Sequence, residues 1–243
     1  MHAACLQLQV CTCDIAGNMH RSLEMAVGAI DQGAEILAFP ELFLTGFCYQ
    51  DFAQDRTPYR SLDPFRTLAR EHGCIILGSI ISGRHNLGFC LGPESEGFYA
   101  KAHPFGDEKA HFDGGDSIRP IPSSQGSVGL EICYDLRFPE VARSLTLQGA
   151  DFLVTVAQFP AKRKSHWRTL AIARAMENQI PHIACNCAGP ECCGTSMIID
   201  AWGEVLAEAG PGEEIVLGEI DLDKRDRIRQ EINCLADRRT DLY

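Results

Sequence analysis

Two features that tie many proteins to a membrane are missing from this sequence. No uninterrupted apolar run reaches the ~18 residues that a membrane-spanning helix needs. Residues 1–10 carry no basic start and no long apolar core, so we expect no signal peptide. We therefore expect a cytoplasmic protein that neither crosses nor binds a membrane.

Positive charge is scarce as well. The chain has 22 Lys and Arg against 33 Asp and Glu, which gives a formal net charge of −11. An acidic protein has no general attraction for a phosphate backbone, which argues against nucleic-acid binding. Apolar residues make up 45% of the 243 residues, and a chain of this length can bury a sizeable core.

Cysteine is the residue whose use needs explaining. The 12 cysteines amount to about 5% of the chain, below the ~8–10% of a disulfide scaffold, so we expect free thiols in a reducing compartment. Three close groups raise the hypothesis of a metal site: Cys11-Thr12-Cys13, Cys185-Asn186-Cys187 and Cys192-Cys193. Their spacing differs from the C-x₂₋₄-C pairs of zinc sites, so we predict packing roles for most cysteines and no metal.

Short apolar runs alternate with amphipathic stretches along the chain. The runs predict strands at 3–10, 36–39, 74–81, 87–92, 97–101, 127–133, 151–156, 181–187, 195–200 and 214–220. The amphipathic stretches predict helices at 18–32, with Asn18 as N-cap, and at 58–72, 138–148, 162–179 and 222–232. This alternation predicts a single α/β or layered α+β domain over residues 1–243, with helices outside the sheets.

Three chemically reactive residues follow apolar strands directly. Glu41 comes after residues 36–40, Lys101 after residues 97–100 and Cys133 after residues 128–132. Ligands of open sheets bind outside the carboxyl ends of strands. Each residue alone has a plainer interpretation, as a turn residue, a surface charge or a packed thiol.

Together the three residue types form a mechanism for acyl transfer. A lysine ammonium lowers the pKa of a neighbouring thiol, and a carboxylate can take its proton and later activate water. The ammonium and a backbone N–H would stabilise a tetrahedral oxyanion. We therefore predict transfer of an amide-like carbon to sulfur, followed by hydrolysis.

The segments around these residues resemble one known family. Residues 39–46 (FPELFLTG), 99–105 (YAKAHPF) and 131–140 (EICYDLRFPE) look like the Glu, Lys and Cys motifs of the nitrilase superfamily of carbon–nitrogen hydrolases, in that order. Further matches are His166-Trp167, residues 174–179 and 203–206, and the tail segments 228–231 and 239–243. The resemblance covers essentially the whole chain.

The resemblance implies a role for each motif residue. Cys133 would be the nucleophile, Glu41 the general base and Lys101 the group that stabilises the tetrahedral intermediate, with the backbone N–H of Tyr134 completing the oxyanion hole. It also implies a four-layer α-β-β-α sandwich, no cofactor, and a homodimer or higher homo-oligomer with the helices near 138–148 and 165–179 at the interface.

A second acidic residue often follows the lysine in this family. Glu108 is the best match in this chain and would position the substrate or Lys101, with Asp107 as the alternative. Phe47 and Phe159 follow or end strand-like stretches near the expected mouth of the site, where they would line the substrate pocket. Core packing is the plainer role for both rings.

The residues after the nucleophile and after strand 151–156 indicate the substrate. Tyr134 and Asp135 stand where cyanide-cleaving nitrilases commonly have Trp, which favours the amidase and carbamoylase branches. Residues 159–167 resemble the ω-amidase group, whose substrates are 2-oxo-dicarboxylate monoamides. Arg163 or Arg137 would then bind the substrate carboxylate through two hydrogen bonds. An intersubunit or helix-end ion pair is the alternative role for either arginine.

Three other functions stay open at this point. An N-carbamoyl compound needs the same three residues and would release carbon dioxide with ammonia. A cysteine–histidine hydrolase could draw on His103, His111, His166 or His182. A superfamily member without activity would serve as a binding protein. We expect instead an amidase whose substrates are a small linear amide and water, and whose products are ammonia and a carboxylate.

Overall fold

The computed structural model describes residues 1–242, so Tyr243, the last residue of the tail segment noted above, lies outside the described residues. The strands are β1 His2–Gln7, β2 Ile36–Ala38, β3 Ile75–Ser82, β4 His85–Leu91, β5 Glu96–Ala100, β6 Ile121–Ser123, β7 Gly126–Ile132, β8 Phe152–Ala157, β9 His182–Asn186, β10 Met197–Ile199, β11 Val205–Glu208 and β12 Glu214–Glu219. The helices are α1 Ile15–Asp31, α2 Asp63–His72, α3 Glu108–His111, α4 Pro139–Leu147, α5 Lys164–Asn178 and α6 Leu222–Glu231.

The strands form two mixed sheets of six strands each. The first has the order β12-β1-β2-β3-β4-β5 and the second the order β11-β10-β9-β8-β7-β6. Strands β1, β2 and β3 run parallel in one sheet, as do β7, β8 and β9 in the other. Helices α1 and α2 cover the outer face of the first sheet, and α4 and α5 cover that of the second. The predicted four-layer α-β-β-α sandwich is confirmed.

Side-chain alternation decides which residues fill the space between the sheets. In β7, Val128, Leu130 and Ile132 belong to the core cluster that also contains Ala3 and Cys5 of the first sheet. Because successive side chains of a strand point to opposite faces, the intervening Glu131 points toward the helices instead. The side chains of β8 and β9 alternate between the two faces in the same way. Because every residue of these two strands is buried, each strand is covered on both faces.

Two predicted helix starts are displaced. Asp14, rather than Asn18, caps α1, because its side chain accepts from the Gly17 N–H. Asn18 lies one turn further on, where its buried amide donates to the carbonyls of Cys11 and Leu44. Helix α2 begins at Asp63 rather than at 58, since Tyr59 takes a left-handed backbone conformation (φ 56°) that interrupts the helix. The sequence analysis also missed the short elements α3, β6 and β11.

Four cysteines are disulfide-bonded, so the expectation of free thiols is wrong for them. Cys13, before α1, pairs with Cys48 in the loop after β2, and Cys187 pairs with Cys192 across the loop after β9. Local spacing could not reveal the first pair, because 35 residues separate its members. Within residues 1–242 no helix combines the length and apolarity needed to cross a membrane.

Candidate active site

The ends of two strands and the start of helix α3 bring Glu41 and Glu108 into contact with Lys101. The parallel strand β2 and the strand β5 run in the same direction, so Glu41 and Lys101 emerge at one edge of the first sheet. Lys101 Nζ lies 2.6 Å from Glu41 Oε1 and 2.8 and 3.0 Å from the two carboxylate oxygens of Glu108. All three side chains are buried, so the Lys101 ammonium is the counter-charge of the two acidic side chains away from water.

Two amides that the sequence analysis missed fix the Glu41 carboxylate. Asn86 Nδ2 donates to Glu41 Oε1 at 2.7 Å, and Gln158 Nε2 donates to the Glu41 carbonyl at 2.8 Å. Oε2 accepts a longer bond of 3.2 Å from the Gln158 N–H, and a side-chain hydrogen bond also links the Glu41 carboxylate to Cys133, so the carboxylate can take the thiol proton. Gln158 follows β8 directly, so the strand-end argument that selected Glu41 would have found it.

Cys133 begins the turn after β7 in a left-handed backbone conformation with φ of 48°. For a residue with a Cβ, this conformation costs about 1–3 kcal/mol and persists only where the surroundings enforce it. The buried Asp135 side chain provides that restraint, because it accepts from the Ile132 N–H, the Tyr99 hydroxyl and both the N–H and the ring of His103. The nucleophile turn and the loop after Lys101 are therefore joined through one carboxylate.

The charges of the site keep the cysteine protonated at rest. Burial raises the pKa of the Cys133 thiol well above its ordinary value and Glu41 raises it further, while Lys101 lowers it. The lysine therefore acts on the pKa in the expected direction but is outweighed, and the resting nucleophile is a neutral thiol. An acceptor for its proton is needed at the moment of attack.

The neighbouring charges shift the other groups as well. Burial lowers the pKa of Lys101, but Glu41, Cys133 and Glu108 raise it, so that the net pKa lies above the ordinary value. Burial and the Glu41 charge raise the pKa of Glu108 to about 7, against the lowering effect of Lys101. Lys101 is thus an ammonium at neutral pH, and Glu108 is poised between its two charge states.

A cavity of about 440 Å³ opens above Cys133. Its lining contains the predicted residues Phe47, Glu108, Cys133, Tyr134, Phe159 and Arg163, together with Tyr49, Phe105, Gly106, Asp107, Arg137, Gln158 and Pro160. Glu108, not Asp107, is the acid that contacts Lys101, although both line the cavity. Phe159 also packs against Trp167, with ring centroids 5.3 Å apart, so this ring serves the core as well as the cavity.

Two guanidinium groups stand in the cavity wall. Arg163 Cζ lies 5.1 Å above the Phe105 ring, and Arg137 Cζ lies 5.2 Å above the Phe159 ring. Within residues 1–242, neither arginine forms an ion pair with a carboxylate. Stacking of this kind leaves N–H groups of a guanidinium able to bind an anion, and one of them, Arg137 Nη1, lies 3.4 Å from His166 Nδ1.

The histidines and cysteines of the two alternative hypotheses, a cysteine–histidine hydrolase and a metal site, make other contacts in the structure. His103 bonds to Asp135 and stacks on Phe138, so it orders the nucleophile turn, while the ring of His111 stacks on Tyr49 at 3.7 Å. Cys185 donates its thiol proton to the Ala38 carbonyl at 3.0 Å. Over residues 1–242, no three His, Cys, Asp or Glu side chains come together as a set of metal ligands.

Comparisons with known proteins identify one family. The profile of the carbon–nitrogen hydrolase family matches residues 2–230. The chain is 36% identical to 2-oxoglutaramate amidase of Bacillus subtilis, with 99% of this chain and 98% of that protein covered. It is 31% identical to human omega-amidase NIT2, covering 99% and 95%. Among solved structures, Saccharomyces cerevisiae Nit3, a member of branch 10 of the nitrilase superfamily, superposes with a TM-score of 0.90 at 26% identity, covering 98% and 96%.

Proposed function

Because this chain belongs to the carbon–nitrogen hydrolase family, and is a hydrolase of carbon–nitrogen bonds other than peptide bonds, we propose that Cys133, Glu41 and Lys101 hydrolyse a small linear amide through a thioester. The observation that carries this proposal is the buried contact between Lys101 and Glu41, placed within electrostatic reach of the Cys133 thiol. Nucleophile, proton acceptor and cation are then held at one point before the substrate arrives.

The first half of the reaction forms the thioester. Cys133 Sγ attacks the amide carbon while Glu41 Oε2 takes the thiol proton, so the negative charge moves to the former carbonyl oxygen. The Lys101 ammonium and the Tyr134 backbone N–H stabilise that oxyanion. The C–N bond then breaks as Glu41 returns its proton to the nitrogen, and ammonia leaves.

The second half uses water in place of the thiol. Glu41 takes a proton from water as the water oxygen attacks the thioester carbon, and the same two donors stabilise the new oxyanion. The C–S bond breaks, Cys133 regains its proton from Glu41, and the carboxylate product leaves. Glu108 keeps Lys101 in place throughout, since both of its oxygens accept from Nζ.

The substrate class follows from the charge at the cavity. Arg163 and Arg137 have no carboxylate partner in residues 1–242. An anionic group of the substrate would therefore be the counter-charge of these two guanidinium groups. Arg163 lies in a segment that also carries Lys162 and Lys164, in a chain whose net charge is −11. Together with the names of the relatives, these features support the monoamide of a 2-oxo dicarboxylic acid as substrate.

Ammonia release from a panel of compounds tests the proposed reaction. The panel contains 2-oxoglutaramate, glutaramate, succinamate, a neutral aliphatic amide, an N-carbamoyl amino acid and a nitrile. We expect kcat/KM to be highest for 2-oxoglutaramate and lowest for the neutral amide and the nitrile. Preference for the carbamoyl compound, with carbon dioxide released, would replace the amide with a ureido substrate. Folded protein that releases no ammonia from any compound would contradict the proposal.

Arg163→Ala tests the carboxylate contact. Losing one charge-assisted bidentate contact costs about 1.5–3 kcal/mol, so we expect KM for 2-oxoglutaramate to rise ~10–100-fold. KM for a neutral amide should change little, because that amide makes no such contact. Lys162→Ala is the matched control, since this exposed cation lies in the same segment but not in the cavity lining. Equal losses on acidic and neutral amides would contradict the assignment.

The proposal extends to assembly and location. We propose that residues 1–243 act as one hydrolase domain and that the chain forms a homodimer through α4 and α5. The exposed apolar side chains of Met176 and Trp202 support such an interface on α5 and the adjacent turn. A cytoplasmic location is also proposed, and the two disulfides count against it, because cytosolic thiols are kept reduced.

A further inference from the structure

A row of buried polar groups crosses the second sheet. The proposed mechanism does not use it. Glu131 in β7, Thr155 in β8 and His182 in β9 are fully buried on the face toward the helices. Thr155 Oγ1 lies 2.9 Å from Glu131 Oε2 and 2.7 Å from His182 Nε2, and His182 Nδ1 lies 3.0 Å from the carbonyl of Ala171 in α5. None of the three side chains lines the cavity.

The hydrogen-bond acceptors in this row of polar groups decide which atoms carry the protons. The Ala171 carbonyl can only accept, so His182 Nδ1 carries a hydrogen. Burial lowers the pKa of His182 to about 4, so its Nε2 is an unprotonated acceptor at neutral pH and takes the Thr155 hydroxyl proton. The hydrogen between Thr155 Oγ1 and Glu131 Oε2 must then belong to the carboxyl of Glu131, which is neutral.

The surroundings of Glu131 agree with a neutral carboxyl. Burial raises the pKa of Glu131 to about 8, Thr155 and Arg174 lower it, and Asp135 and Glu177 raise it. Glu131 Oε1 has no hydrogen-bond partner within residues 1–242, which a neutral carbonyl oxygen tolerates far better than a charged one. From α4, the Arg143 guanidinium is directed to the Glu177 carbonyl rather than to Glu131.

The row of polar groups is connected to the nucleophile turn by two routes. Glu131 lies at the end of β7, two residues before Cys133, so it fixes the end of the strand from which the strained turn departs. His182 holds α5 at Ala171, and one turn later Arg174 of α5 donates to the Leu136 carbonyl inside the turn, at 3.0 Å. Strand and helix are thereby fixed relative to each other on both sides of Cys133.

We propose that protonated Glu131 is a positioning residue, which holds the Cys133 turn in its reactive geometry through Thr155 and His182 and releases it when its proton is lost. An ionised Glu131 would compete with His182 for the single Thr155 hydroxyl proton and leave the ring nitrogen unpaired. The row of polar groups would then no longer join β7 to α5. This inference rests on the proposed function, because it concerns the geometry of the same nucleophile.

The pH dependence of kcat in a Glu131→Gln variant tests the inference. The Gln amide stays neutral and can donate to Thr155, so we expect kcat near the wild-type value at pH 7. With a pKa of about 8, the protonated fraction of Glu131 falls ~10-fold between pH 7 and pH 9. Wild-type kcat should therefore fall ~10-fold more over this range than kcat of the variant. Indistinguishable profiles would overturn the proposal, and Glu140→Gln, an exposed carboxyl on α4, is the control that should keep the wild-type profile.

Variants of Thr155 keep the proposal testable if Glu131→Gln does not fold. Thr155→Val removes the hydroxyl that joins Glu131 to His182, so the part of the alkaline fall of kcat that depends on the Glu131 proton should disappear, while Thr155→Ser should leave it in place. An unchanged fall in Thr155→Val would overturn the proposal.

Two readouts separate this inference from the proposed function. The infrared C=O absorption of protonated carboxyls should contain a component that titrates near pH 8 in the wild type and is missing from Glu131→Gln, whatever the substrate, while the Glu108 component near pH 7 remains in both. The rate at which iodoacetamide alkylates Cys133, followed by peptide mass mapping, should show the same divergence above pH 8. A wild type without the component near pH 8 would overturn the inference even if the amidase is active.

Discussion

A Cys133→Ala variant is expected to release no ammonia from any amide that the wild type hydrolyses. Without the sulfur, no thioester forms, and Glu41, Lys101 and the cavity cannot replace the missing bond. We expect kcat to fall by at least ~10⁴-fold. The fold should be retained, because the substitution only removes the sulfur atom and alanine meets the same backbone strain at this position.

Intact-protein mass spectrometry distinguishes loss of the nucleophile from loss of the fold. Wild-type enzyme quenched with acid during turnover should carry the mass of an acyl group, and Cys133→Ala should not. Cys234→Ala is the matched control, since this cysteine is exposed and free and should keep full activity. A Cys133→Ala variant with wild-type turnover would contradict the thioester mechanism.

Lys101→Met is expected to remove activity and also to change the stability of the fold. The ammonium is the one cation that contacts Glu41 in the described residues, and removing such an oxyanion donor lowers kcat by ~10²–10³-fold. Removing one partner of a buried ion pair also costs about 3–5 kcal/mol, because the carboxylates of Glu41 and Glu108 are left buried without their counter-charge. Both losses should appear in one variant, in kcat and in the free energy of unfolding.

The pH dependence of this stability has a definite sign. Burial and Glu41 already raise the pKa of Glu108 to about 7, and Lys101 opposes that shift. Without the lysine, the folded-state pKa rises further above the unfolded value, so stability is fully present at low pH and is lost as pH rises through the folded pKa. The Tm of Lys101→Met should therefore fall as pH rises above about 4.5, and it should continue to fall above pH 7, where that of the wild type levels off.

A second substitution separates the two effects. Lys101→Met combined with Glu108→Gln leaves only Glu41 charged, so it should recover much of the lost stability at high pH. It should not recover kcat, because the cation that stabilises the oxyanion is still missing. A Lys101→Met variant that keeps kcat within tenfold of the wild type would contradict the role assigned to Lys101.

The sequence determined the elements of the fold and the three residues at the ends of its strands. Apolar runs and helical periodicity are local signals, and a strand buried on both faces, such as β8, follows from the run Phe152–Val156 alone. The positions of Glu41, Lys101 and Cys133 follow from the same local pattern. Their motifs led to the family that the comparisons then showed.

Only the tertiary structure decided which of these residues meet. Glu41 is held by Asn86 and by Gln158, which lies 117 residues further along the sequence. Cys13 pairs with Cys48, 35 residues away. Local sequence periodicity carries no information about contacts between residues so far apart. The protonation state of Cys133 is likewise a balance between burial, a carboxylate and an ammonium. Each of those contributions depends on separations in space, so composition and spacing could name the charged groups but not the sum of their effects.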